Sequence, residues 1–141
     1  MPTSAAASSS SENQSRPVPE DIVGRLSSSM ASYEIKLKAL RDLKNQIIGN
    51  RTKKLAFLKL GAVPSVVSIL SSATAAASCR GGYDDNLDSI IIQSAAVIGS
   101  FACGFDAGVQ AVLDAGALPI LLSLISHQNE KVTSYSYVFI F

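Results

Sequence analysis

The 141-residue sequence predicts an all-α fold, a right-handed superhelix of about two stacked helical units behind a disordered amino-terminal tail. Three observations lead there. Apolar residues recur at helical spacing from Ser32 onward. The sequence meets itself without a gap when shifted by 55 positions. In both copies a glycine is followed three residues later by a proline, at Gly61–Pro64 and Gly116–Pro119.

Residues 1–29 are rich in Ser, Ala and Pro, with Pro17 and Pro19 opposing a regular helix. So little apolar area cannot offset the entropy of ordering, and a disordered tail is expected. From Ser32, Ile35, Leu37, Leu40, Leu43, Ile47 and Ile48 make an apolar stripe, with Lys36, Lys38, Arg41 and Lys44 in the gaps. Ser32 suits the N-cap and Gly49 the stop. A second helix is expected over Arg51 to Leu60, with Leu55, Phe57 and Leu58 inward. Gly61 ends it, and Pro64 opens a third helix, Val63 to about Leu70, where a missing N–H costs nothing.

Residues 71–86 read as a flexible surface loop through Ser71, Ser72 and the alanines to Gly81-Gly82. Asp84, Asp85, Asn86 and Asp88 then supply caps and negative charge for a helix from about Leu87 to Cys103. That helix is apolar nearly all round and has to be buried on most sides. Strand competes for Ile90-Ile91-Ile92, but Ala95, Ala96 and the length favour helix.

In the self-alignment Gly49 falls on Gly104, Ala56 on Ala111, Leu58 on Leu113, Gly61 on Gly116, Ala62 on Ala117, Pro64 on Pro119 and Ser68 on Ser123. Apolar positions agree too: Leu40 with Ala95, Leu43 with Ile98, Phe57 with Val112, Val66 with Leu121. Without the loop the period returns to about 42, within the window of two- and three-helix solenoid repeats. Gly61, Pro64, Gly116 and Pro119 are therefore structural corner residues. Glycine admits a positive φ at the helix end, and proline presets the next helix start.

The segments Leu55-Ala56-Phe57-Leu58-Lys59-Leu60-Gly61-Ala62-Val63-Pro64 and Val109-Gln110-Ala111-Val112-Leu113-Asp114-Ala115-Gly116-Ala117-Leu118-Pro119 resemble armadillo repeats. More narrowly, Leu43 to Asn50 and Ala95 to Ala102 are similar to the amino-terminal repeats of the armadillo subunit of CTLH (GID-type) E3 ubiquitin ligase assemblies. The resemblance covers about Ser32 to Ser126, and armadillo repeats are expected over 30–132. It implies a non-catalytic scaffold or adaptor that links a substrate receptor to the ligase core, in cytoplasm and nucleus. The alternative it implies is a general peptide-binding armadillo module, for example for nuclear-import signals. Armadillo proteins of that kind present Trp and Asn to a concave groove. Asn45 matches the Asn, but Ser100 replaces it in the second copy, and Arg41 and Ala96 stand at the Trp positions. Residues 133–141 have apolar, strand-like character and continue no repeat. A truncated chain with an exposed apolar end and marginal stability is expected, because about three repeats are needed for an independent stack.

Eight bases, Lys36, Lys38, Arg41, Lys44, Arg51, Lys53, Lys54 and Lys59, face one acid, Asp42, a local charge of +7 in a chain of net +1. With Asn45 they make a candidate partner-binding face for an acidic protein segment, against the plainer reading of a solvated outer surface. Nucleic acid is disfavoured because no aromatic residues interleave with the charges.

No catalytic, cofactor or metal site is expected, nor a small-molecule substrate. Asp84, Asn86 and Asp88 open like a calcium loop, but Ser89 and Ala95 stand where Gly and Glu are required. Cys79 and Cys103 do not pair as a zinc site, and His127 is the only histidine. Cys103 reads as a small core residue and Cys79 as a loop thiol. Two cysteines build no disulfide scaffold, so reduced thiols are expected. No run of about 18 apolar residues predicts a membrane span. The start lacks the apolar core of a secretory signal, and Arg16 as its lone early base argues against a transit peptide.

Overall fold

The computed structural model describes residues 17–80 and 85–124, and among these every regular element is a helix. In chain order they are α1 (Pro19–Ser27), α2 (Tyr33–Ile47), α3 (Arg51–Lys59), α4 (Ala62–Arg80), α5 (Asp85–Ala102), α6 (Asp106–Asp114) and α7 (Ala117–Ser123).

The offset of 55 holds in the backbone. Ile47 and Ala102 end α2 and α5, Arg51 and Asp106 open α3 and α6, and Ala62 and Ala117 open α4 and α7. The breaks match as closely. Gly49 and Gly104 sit at φ 66° and 61°, and Gly61 and Gly116 at 79° and 78°. At these left-handed positions a Cβ would meet its own carbonyl, so glycine sets the bend between α3 and α4 and again between α6 and α7. Pro64 and Pro119 follow in the first turns of α4 and α7, both exposed.

The helices stack by kind: α2 on α5, α3 on α6, and α1 on α4 on α7. Equivalent positions are buried alike. Phe57 and Val112, Leu43 and Ile98, Val66 and Leu121, and Ala62 and Ala117 are all fully buried in one continuous core. Each unit hides its apolar side against the next, which is why a single unit would not stand alone.

Helix α1 replaces the expected tail over residues 19–27. Pro19 sits in its first turn, where no hydrogen bond is lost, Glu20 and Asp21 suit the positive end, and Ile22 and Leu26, four apart, are buried. Because α1 packs on α2 and α4 as α4 packs on α5 and α7, it stands as the last helix of a preceding, partial unit. Residues 1–16 lie outside the described residues, as do 125–141, including the apolar segment 133–141.

The expected loop 71–86 is also corrected. Helix α4 runs on to Arg80 and α5 begins at Asp85, with 81–84 outside the described residues. Alanine is the best helix former, and Ala73, Ala76 and Ala77 pack on the core. Thr74 Oγ1 donates to the Leu70 carbonyl at 2.7 Å, which keeps its hydroxyl within the helix. Three expected core residues, Ile35, Ile48 and Leu55, are 44%, 58% and 44% exposed: Ile35 and Leu55 fall off the buried stripes of α2 and α3, and Ile48 follows the end of α2. Cys103, read as core, is exposed in the turn after α5.

Candidate protein-binding surface

The basic segment spans α2 and α3, and the structure divides it into cations used within the chain and cations turned outward. Lys54 is 7% exposed, and its Nζ donates to the Cys103 carbonyl at 3.2 Å. Arg51 Nη2 donates to the Gly104 carbonyl at 3.2 Å and lies 5.6 Å from the centroid of the Phe105 ring. Both act on the carboxyl end of α5, where unpaired carbonyls and the helix dipole favour positive charge. They tie the two units together. Lys44 Nζ donates to Gln93 Oε1 at 2.9 Å, joining α2 to α5.

On the other flank Asp42 is shared. Arg25 of α1 pairs with it at 3.3 Å and Lys38 at 3.1 Å, so the one acid of the segment is neutralised by two cations. Gln46 Nε2 donates to the Pro17 carbonyl at 2.9 Å, which holds the entry to α1 against α2. Arg25, Gln46 and Gln93 belong to this network, and the local sequence carries no signal for them because their partners lie on other helices.

Lys36, Arg41, Asn45 and Lys53 make no hydrogen bond or ion pair through their side chains among the described residues. Lys36 is half-buried in a hydroxyl-rich groove with Ser28, Tyr33 and Ser65 between α2 and α4. Lys53 and Asn45 line a polar cleft of about 550 Å³ with Pro17, Asp42 and Asn50. Arg41 and Asn45 are exposed, one turn apart on the outward side of α2. These candidate residues therefore do not form one face. Lys44, Arg51 and Lys54 turn toward the second unit, while Lys38, Arg41 and Asn45 look outward.

The corner residues Gly61, Pro64, Gly116 and Pro119 occupy equivalent points, as described. Asp88 is buried and Asp85 exposed in the first turn of α5. No group of three or more His, Cys, Asp and Glu side chains gathers for a metal among the described residues, and Asp84 and His127 lie outside them. No single described helix is long and apolar enough to cross a membrane.

The comparisons agree with this geometry. The Armadillo/beta-catenin-like repeat model matches residues 105–136. Armadillo repeat-containing protein 8 of Pongo abelii and of Mus musculus are each 31% identical over 86 residues, 61% of this chain and 11% of theirs. The Xenopus laevis protein of the same name is 30% identical over 86 residues. The match thus spans about a tenth of these relatives' length. Among solved structures, a designed armadillo repeat protein, YIII(Dq)4CqI, superposes with a TM-score of 0.69 at 26% identity, over 86% of this chain and 44% of its own. A designed armadillo repeat protein in complex with the peptide (KR)4 has the same fold, with a TM-score of 0.69 at 24% identity over 86% of this chain and 45% of its own. With its glycine breaks, its stacked equivalent helices and these likenesses, the chain has the armadillo-repeat fold, and its second unit matches the armadillo repeat itself.

Proposed function

We propose that the chain serves as a non-catalytic scaffold of the armadillo repeat-containing protein 8 kind, within a CTLH (GID-type) E3 ubiquitin ligase assembly in cytoplasm and nucleus. There it would link a substrate receptor to the ligase core. The observation that carries this reading is the likeness to armadillo repeat-containing protein 8 over 86 residues of this chain. A stack of paired helices offers rigid, extended surface and suits holding two proteins at a fixed separation.

Affinity purification of the full chain from cells is the test. Ligase core subunits should be recovered with it. Recovery of none of them, alongside capture of a basic signal peptide, would reverse the reading in favour of an import-signal binder. One observation supports that second reading: the fold is shared with a designed armadillo protein solved with a (KR)4 peptide. The side chains argue the other way, since Arg41 would repel a basic peptide where an aromatic ring is required.

A further inference from the structure

We propose that Ser28, in the turn between α1 and α2, is a phosphorylation site, and that Lys36 holds the resulting phosphate and so fastens α1 to the stack. This contact within the chain stands whether or not the protein serves a ligase.

The groove between α1, α2 and α4 has a volume of about 430 Å³, and hydroxyls line it, among them Ser28, Tyr33, Ser65, Ser68 and Ser72. Its one charged lining residue is Lys36, which makes no ion pair among the described residues. Glu34, two positions earlier, lies about 200° round α2 from Lys36 and therefore on the other side. Asn45 lies about 180° round from it, so the groove is opposite the outward surface of that helix. A cation among hydroxyl donors, with no carboxylate beside it, is a setting that suits an oxyanion.

The turn supplies the place to attach one. Ser28 follows the last helical residue of α1 and has an extended backbone, φ −72° and ψ 124°. Its Oγ accepts from the Met30 N–H at 3.2 Å, and its own hydrogen is donated to no group among the described residues. Met30 is 91% exposed, so the turn reaches solvent. Arg25 stands three residues before Ser28, a spacing at which arginine-directed kinases read a basic side chain with acidic groups of their own. For a kinase to lay this segment out, the end of α1 has to unwind. That helix has nine residues and buries two, Ile22 and Leu26. Its polar ties include the Arg25–Asp42 pair and the 2.9 Å contact of Ser27 Oγ with Ser65 Oγ. An edge helix held this lightly opens at lower cost than the core.

In the open form the γ-phosphoryl group of ATP passes to Ser28 Oγ. A new P–O bond forms as the bond to the bridging oxygen breaks, ADP leaves with that electron pair, and the hydroxyl proton goes to the kinase's base. On reclosure the phosphate, with a charge of about −1.5 to −2 near pH 7, enters the groove with Lys36. The carboxyl end of α1 opposes negative charge there, but only through partial charges. A charge-assisted hydrogen bond from an ammonium is the stronger effect, and the positive end of α2 adds to it.

Treatment of the full chain with ATP and an arginine-directed serine kinase, followed by peptide mass spectrometry, should place the phosphoryl group on Ser28. Arg25→Gln should slow that reaction at least about fivefold. An unchanged rate, or the faster one that loosening α1 by loss of the Asp42 pair would give, overturns the proposal, as does modification confined to other serines. Hydrogen exchange then reads the clamp. Phosphorylation should slow exchange across residues 19–27 at least about threefold, and Lys36→Gln should remove that gain. In the unmodified chain Lys36→Gln should leave exchange there within about twofold of the parent. Unchanged or faster exchange on phosphorylation, or a gain that survives Lys36→Gln, would overturn it as well.

Discussion

The two units share a backbone and differ in what their side chains hold. At the head of α3, Asn50 Oδ1 accepts from the Lys53 N–H at 2.9 Å, a standard N-cap. At the equivalent head of α6, Phe105 makes no side-chain cap; its ring lies under Arg51 instead. Lys53, half-exposed, is matched by Gly108, which is buried. A Cβ on Gly108 would stand 1.8 Å from the Phe101 carbonyl oxygen. Lys54, whose ammonium reaches the end of α5, is matched by Val109, 37% exposed. Repetition therefore fixes where helices turn, while each copy's side chains answer to a different neighbour.

Breaking the comparison at its tightest point should have the largest effect. Gly108→Ala forces the Cβ into backbone that cannot move aside, and a loss of about 3 kcal/mol is expected by urea denaturation. Lys53→Ala at the equivalent place should change stability by less than about 0.5 kcal/mol. Equal effects would mean that the two helix heads pack alike.

Lys54→Met keeps the apolar stem and removes the donor to Cys103 together with the charge at the α5 terminus. A loss of about 2 kcal/mol in the same measurement is expected. Full stability in Lys54→Met would mean that the bond between units contributes nothing.

Asn50→Ala removes the cap that the second unit lacks and should cost about 1 kcal/mol. A thermal melt would show it as a lowered midpoint, and an unchanged midpoint would show that packing alone sets the head of α3.

The smallest effect sharpens the likeness. Ser94 is fully buried in α5, and its Oγ has no hydrogen-bond partner among the described residues; the equivalent residue in α2 is Ala39, equally buried. Ser94→Ala should therefore stabilise the chain by about 1 kcal/mol, read as a higher denaturation midpoint. Destabilisation would show that the hydroxyl is satisfied in solution.

Much of the fold is legible in the residues. Ser32 caps α2, its Oγ accepting from the Ile35 N–H at 3.3 Å, and Gly49, Gly61, Gly104 and Gly116 end helices where their spacing says they should. The misreadings have local causes. In α1 the prolines obscured a helix that opens on one of them, and its buried contacts amount to Ile22 and Leu26. In the second half of α4 the Ser/Ala composition shows no apolar stripe, although it contains no helix breaker before Gly81. The basic segment was visible as a charge excess, but its division was not. Lys54 and Arg51 reach carbonyls 49 and 53 positions along the chain, and Arg25 an acid 17 positions away.

Local residue patterns suffice for the helical class, the register of the repeat and the places where the chain turns. Those depend on caps, glycine φ values and apolar spacing, which act within a few residues. Which cations fasten one unit to the next and which face outward is settled by the stacking of the units. That choice depends on which helix termini and carboxylates come within about 3 Å of a side chain once the units stack, and no local pattern contains it.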